Sequence, residues 1–209
     1  MVLIMTAAVK RDAYTPESLL SVAVGVFNER GYDGTSMEHL ARAAGISKSS
    51  IYHHVSSKEE LLRRAVSRAL DGLFGVLDEE GARAGTATER LEHVVRGTVA
   101  LLVAELPYVT LLLRVRGNTD AERWAMERRR DFDHRLADLV QAAVTEGGLR
   151  ADLSPRLATR LLYGMINSIV EWYRPADDGD ADARERERER AKDLADAVLH
   201  LAFDGLRPR

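Results

Sequence analysis

The chain has 209 residues, no cysteine, 45% hydrophobic and 30% charged residues, and a formal net charge of -3. That is a globular balance, long enough to bury a core without disulfides or metal. The missing cysteines exclude disulfide frameworks, thiolate metal sites and cysteine nucleophiles, and suit a reducing cytoplasm.

Charge excludes a protein that coats nucleic acid by bulk electrostatics, although the ends differ. Residues 1–70 hold nine Lys/Arg against seven Asp/Glu, +2, which leaves 21 against 26, -5, for the rest. The longest uncharged apolar stretch, Thr98 to Ala104, falls far short of the roughly 20 residues a membrane-spanning helix needs. The apolar start Met1 to Met5 lacks the basic region and cleavage site of a signal peptide and reads as a disordered lead-in.

Apolar residues recur at spacings of three and four, with no run of period two, so the expected fold class is all-α. Thr15, Pro16 and Glu17 open a helix with Leu19, Leu20, Ala23, Val26 and Phe27 on one face, ended by Gly31. Four further starts carry capping boxes: Thr35/Glu38, Ser57/Glu60, Thr86/Glu89 and Thr119/Glu122. From Ser57 to about Glu80 the stripe Leu61, Leu62, Ala65, Val66, Ala69, Leu73 and Leu77 predicts one long helix. After a loop from Gly81 to Gly85, helices are expected at about 86–105, 107–116, 120–146, 155–174 and 184–204. Gly147-Gly148 and Ser154-Pro155 act as punctuation. The Asp-Asp-Gly-Asp segment between Pro175 and Ala183 reads as an exposed linker, and the Arg/Glu run from Arg184 to Arg190 as a solvated patch.

The stretch from Thr35 to Leu62 carries the chemistry. Thr35 is expected to cap a short helix with Met37, Leu40, Ala41 and Ala44 on its narrow apolar face, and Gly45 makes a sharp turn. Ser47 caps the next helix, where Ile46 and Ile51 have the spacing of a hydrophobic staple. With Ile51 packed inward, the outer face offers Lys48, Ser49, Ser50, Tyr52 and His53, hydrogen-bonding and free of acids, as a major-groove helix requires. His53 and His54 point about 100° apart with no third ligand nearby, so no metal is expected. No cofactor is expected either.

The segment Thr35-Ser-Met-Glu-His-Leu-Ala-Arg-Ala-Ala-Gly-Ile-Ser-Lys-Ser-Ser-Ile-Tyr-His-His-Val-Ser-Ser-Lys-Glu-Glu-Leu-Leu62 strongly resembles the DNA-binding domain of the TetR family of repressors. The likeness extends upstream to Phe27-Asn-Glu-Arg-Gly-Tyr and covers about sixty residues. It implies a helix-turn-helix domain at 1–62 and a helical ligand-binding and dimerisation domain at 63–209. By position, Ser36 and the Thr35 backbone would touch phosphate, Lys48, Ser49, Ser50 and His53 would face bases or backbone, and Tyr52 and Lys58 would grip phosphates. Two of these have plain alternatives: Tyr52 packing on Val55 or the first helix, and Lys58 as a solvated first-turn residue. Val55 stands where the family usually has an aromatic.

Beyond residue 80 the resemblance implies a cavity and a homodimer through the last two helices, binding palindromic operator DNA. Leu157, Leu161, Leu162, Ile166, Ile169 and Val170 form one apolar face there, and Leu194, Val198, Leu201 and Ala202 another; both suit a dimer, and both also suit packing within the monomer. Polar or aromatic residues in apolar helices are the effector-binding candidates: Arg114, Arg116, Asn118, Trp124, Phe132, Tyr163, Asn167 and Trp172. The arginine pair beside Asn118 suggests an anion such as an acyl-coenzyme A; a flat apolar drug or lipid fits nearly as well. Effector binding is then expected to move the long fourth helix and release DNA. No nucleophile elbow, phosphate-binding loop or histidine-carboxylate spacing supports an enzyme. A helical interaction module that has lost DNA binding is the other rival.

Overall fold

The structure is a computed structural model describing residues 15–175 and 181–207. The apolar start and the Asp-Asp-Gly-Asp segment lie outside the described residues. Among those residues are nine α-helices and no strand: α1 Pro16–Arg30, α2 Met37–Ala44, α3 Lys48–Tyr52, α4 Lys58–Asp78, α5 Ala87–Ala104, α6 Leu106–Arg114, α7 Asp120–Thr145, α8 Pro155–Trp172 and α9 Ala181–Leu206. A 3-10 turn, Glu80–Ala82, lies in the segment expected to be a plain loop.

Capping explains most boundaries. Thr86 and Thr119 close reciprocal boxes with Glu89 and Glu122, and Thr15 closes one with Ser18. The start of α2 corrects the sequence reading by one residue. Thr35 is buried, its hydroxyl donating to Gly31 O at 2.7 Å, which leaves Ser36 as the cap. Ser36 Oγ accepts from His39 N, and the Ser36 N–H donates to His39 Nδ1, both at 3.3 Å. Glu38, the expected box partner, pairs instead with Lys48. At α4 only half the box forms: Ser57 Oγ accepts from Glu60 N, while the Glu60 carboxylate reaches back to Ser56 N and Oγ at 2.6 and 2.7 Å.

One apolar core runs through both ends of the molecule. Helix α4 belongs to both: Leu61, Leu62, Ala65, Val66 and Ala69 are fully buried along it. The expected boundary at residue 62 thus falls inside a continuous helix. Helix α7 packs against α4, α5 and α8, α6 against α1 and α4, and α9 along α5. On α8, Leu162, Ile166, Ile169 and Val170 turn inward, whereas Leu157, Leu161 and Trp172 stay exposed with Leu201 of α9. No single helix among the described residues is long and apolar enough to cross a membrane.

Candidate nucleic-acid interface and effector cavity

Helices α2 and α3 meet at Gly45, whose φ of 66° and ψ of 24° place it in the left-handed region that glycine enters without a Cβ clash. Ser47 then caps α3, accepting from Ser50 N at 3.1 Å, and fully buried Ile51 anchors it. The outer face carries exposed Lys48, Ser49, Tyr52 and His53, with Ser50 half-buried. The Ser47 hydroxyl lies 3.0 Å from that of Ser49 and 2.7 Å from that of Ser50, a cluster able to turn outward as donor or acceptor. Lys48 reaches Glu38 of α2, and that contact raises the lysine pKa and lowers that of the glutamate.

Two expected phosphate contacts are occupied inside the fold. Lys58 Nζ donates to Tyr32 O and Thr35 O, both at 2.8 Å, and stands 4.1 Å from the Tyr32 ring centroid. The Thr35 N–H donates to Tyr32 O at 3.1 Å, so neither backbone group of Thr35 is free. Arg42, exposed on the last turn of α2, is a cation the sequence reading passed over.

A seam of polar contacts ties this head to the body. Asn28 Nδ2 donates to Pro107 O at 2.8 Å, and Arg114 Nη1 donates to Asn28 O at 2.9 Å, so one residue of α1 holds both ends of α6. Asn118 Nδ2 donates to Asp33 Oδ2 at 2.9 Å, and Glu59 accepts the Ala121 N–H at 2.9 Å. Arg68 pairs with Glu17 and Glu105 and lies 4.4 Å from the Tyr108 ring centroid.

A cavity of about 650 Å³ opens in the body between α4, α5, α6, α7 and α8. Its inner wall is apolar, with Leu73, Leu102, Val109, Leu112 and Phe132, while Arg129, Arg130, Arg156 and Arg160 supply four guanidinium groups against one carboxylate, Asp133. Among the described residues no ion pair joins Arg130 or Arg156 to an acid. Burial pushes the Asp133 pKa up, against the pull of Arg129, His134 and Arg160, and lowers that of Arg129. Tyr163 is buried, its hydroxyl 3.0 Å from that of Thr98, and burial raises its pKa.

Of the eight effector candidates, this cavity gathers Phe132, Tyr163 and Asn167. The other five are placed elsewhere. Arg114, Arg116 and Asn118 stand at the seam with α1, because the chain between α6 and α7 folds back on the head. Trp124 lies under the Arg63 guanidinium at 4.0 Å. Trp172 is exposed on α8, its ring edge-on to Tyr173.

Residues 19–65 match the profile of bacterial regulatory proteins of the tetR family, and residues 84–206 that of the tetracyclin repressor-like C-terminal domain. The chain belongs to the TetR family. It is similar to the HTH-type transcriptional repressor KstR2 of Rhodococcus jostii, with 32% identity over 160 residues, 75% of this chain and 78% of that one. Among solved structures it resembles SCO3833, a TetR-family member from Streptomyces coelicolor A3, with 70% identity, TM-score 0.82 and 94% of each chain covered. AibR, solved with isovaleryl coenzyme A and operator DNA, shares the fold at TM-score 0.70 and 23% identity, covering 90% of this chain and 97% of that one. This TetR-family chain is therefore a DNA-binding transcriptional regulator with a helix-turn-helix head. Besides Arg42, the sequence reading did not single out the four arginines that line the cavity. Their signal was present: Arg156 and Arg160 share with Tyr163 and Asn167 one face of an otherwise apolar helix.

Proposed function

We propose that the protein is a homodimeric repressor that holds a palindromic operator with two copies of α3 and releases it when an anionic, apolar effector of the acyl-coenzyme A class enters the cavity. The arginine concentration carries this reading. Arginines elsewhere in the chain commonly meet carboxylates, as Arg64, Arg68, Arg83 and Arg96 do. Here, among the described residues, Arg130 and Arg156 stand without one beside an apolar chamber whose size lies within the usual range for small-molecule sites, roughly 300–1,000 Å³. Guanidinium groups suit phosphate or carboxylate, and the leucine-lined wall suits an acyl chain.

On the DNA side, Ser36, Lys48, Ser49, Ser50, Tyr52 and His53 are the proposed contacts, and Lys58 is assigned instead to fastening α4 to the turn before α2. Exposed Leu157, Leu161, Trp172 and Leu201 are proposed to meet a second copy, placing two reading helices about 34 Å apart. Signal transfer runs through α6 more than α4. Helix α6 gives the cavity Val109, Leu112 and Leu113, whereas α4 gives only Leu73, and α6 is the helix that Asn28 grips.

An electrophoretic shift on the DNA upstream of the gene, with excess nonspecific competitor and a titration of acyl-coenzyme A compounds, tests both halves. A specific shift released by a thioester is the expected result. A specific shift that no thioester releases overturns the effector class alone. No specific shift at moderate salt overturns control of its own promoter and favours the interaction module.

A further inference from the structure

Helix α6 stops at Arg114, two residues short of the end at 116 that the sequence predicts. The next rung would join the Arg116 N–H to the Leu112 carbonyl. Both groups are taken by side chains of α7: Arg129 Nη1 donates to Leu112 O at 3.3 Å, and the Arg116 N–H donates to Glu122 Oε1 at 3.1 Å. Glu122 is buried and also accepts the Thr119 N–H at 3.0 Å. Helix α7 thus holds the two halves of one helical hydrogen bond apart. Arg129 is the half that lines the effector cavity.

We propose that Arg129 is the effector-sensing residue, exchanging its hydrogen bond to the Leu112 carbonyl for one to the effector's anionic group, whereupon α6 winds on by about one turn. This rests on the reading that an anion enters the cavity. Arg129 has reason to move: burial disfavours its charge, Asp133 offsets this only in part, and its hydrogen-bond partner is a neutral carbonyl, which compensates a cation less well than an anion does. The Arg116 N–H then leaves Glu122 Oε1 for the freed Leu112 carbonyl, while Glu122 keeps the Thr119 N–H. Gly117, at φ 89°, is the residue that allows both states, because glycine passes from positive to helical φ without a Cβ penalty.

The winding is read at the head. Arg114 and Asn118 flank the segment and hold Asn28 and Asp33. Converting three residues from extended to helical, about 3.3 to 1.5 Å per residue, shortens the connection by about 5 Å. One anchor, Asn28, is in α1 and the other, Asp33, is in the turn that leads to α2, so the shortening pulls on that turn and displaces Ser36 and α2.

The test compares wild type, Arg129→Gln, Arg130→Gln and Gly117→Ala as full-length proteins, titrating decanoyl-coenzyme A and decanoate by calorimetry with and without the captured operator fragment. For wild type, the ratio of the two affinities is expected within the usual 5- to 150-fold coupling range. Arg129→Gln is expected to bind the thioester about tenfold more weakly, with coupling reduced to about 1. Arg130→Gln is expected to lose similar affinity and keep its coupling. Gly117→Ala, strained at positive φ and meeting Met126 Sδ at 3.2 Å, is expected to favour the wound state and bind operator about tenfold more weakly with no effector. Hydrogen exchange on wild type gives a reading independent of any variant, in which saturating thioester protects the Gly117 amide. Retained coupling in Arg129→Gln, or an unprotected Gly117 amide, overturns the switch while leaving the effector class intact. Binding of neither anion to wild type overturns both.

Discussion

Replacing Lys58 with methionine separates two roles that the sequence left open. The structure gives Lys58 two charged-donor hydrogen bonds to backbone carbonyls and the face of Tyr32. Tyr32 O keeps a second donor in the Thr35 N–H, but Thr35 O loses its recorded one. Hydrogen bonds involving a charged group contribute about 1.5–3 kcal/mol each. Discounting the Tyr32 bond for its remaining donor and the site for partial exposure gives a loss of about 2–3 kcal/mol. For a chain of this size, with about 2–4 °C of Tm per kcal/mol, melting should fall by about 5–10 °C. Operator binding, measured below the melting range across a salt series, should keep its slope of log K against log salt. A lysine on phosphate would instead reduce that slope by about 1. A Tm within about 1 °C of wild type together with a slope lower by about 1 would refute the fastening role.

Leu161→Glu combined with Leu201→Glu should turn a dimer into a folded monomer by sedimentation velocity, since both side chains are more than half exposed; a persistent dimer would move the interface elsewhere. Tyr163→Phe removes the partner of the buried Thr98 hydroxyl, at about 1–3 kcal/mol. Its Tm should therefore fall by about 2–10 °C, and an unchanged melt would mean that water replaces the lost hydroxyl. Asp133→Asn tests the charge in the cavity wall. Burial raises the aspartate's pKa in the fold, so its contribution to stability is fullest below the ordinary value near 4 and is lost as pH rises through the folded value. The asparagine variant should thus melt above wild type at pH 7, converge with it on acidification, and bind anionic effectors several-fold more tightly. A gap that widens toward pH 4 would contradict the assignment.

Much of this was legible because helix signals are local. Pro16 at a helix start, Gly45 at a turn and the Thr86 and Thr119 boxes need only neighbours a few residues away. The cap of α2 was misplaced by one because Thr35 has Glu38 at capping-box spacing and Thr and Ser can both cap. What decides between Thr35 and Ser36 is that the first lies in the core and finds Gly31 O. The cavity was harder to read. Arg128, Arg129 and Arg130 are consecutive, yet each turns about 100° from the last: Arg128 goes to Asp131 and the Phe74 ring, and the other two to the cavity. Arg114 and Asn118 looked like ligand groups for the converse reason, since their partners Asn28 and Asp33 lie 86 and 85 residues away in the chain.

Asn28 is bonded at Pro107 and at Arg114, so α1 spans α6 like a caliper set to a fixed opening. Here the head carries the gauge and the body carries the rod it measures. Transplanting residues 15–62 onto another body would preserve DNA recognition but not obedience to the effector, unless the recipient's sixth helix had the same length between its two bonded ends. Insertions within α6 should have the same outcome: a protein that binds its operator and no longer listens.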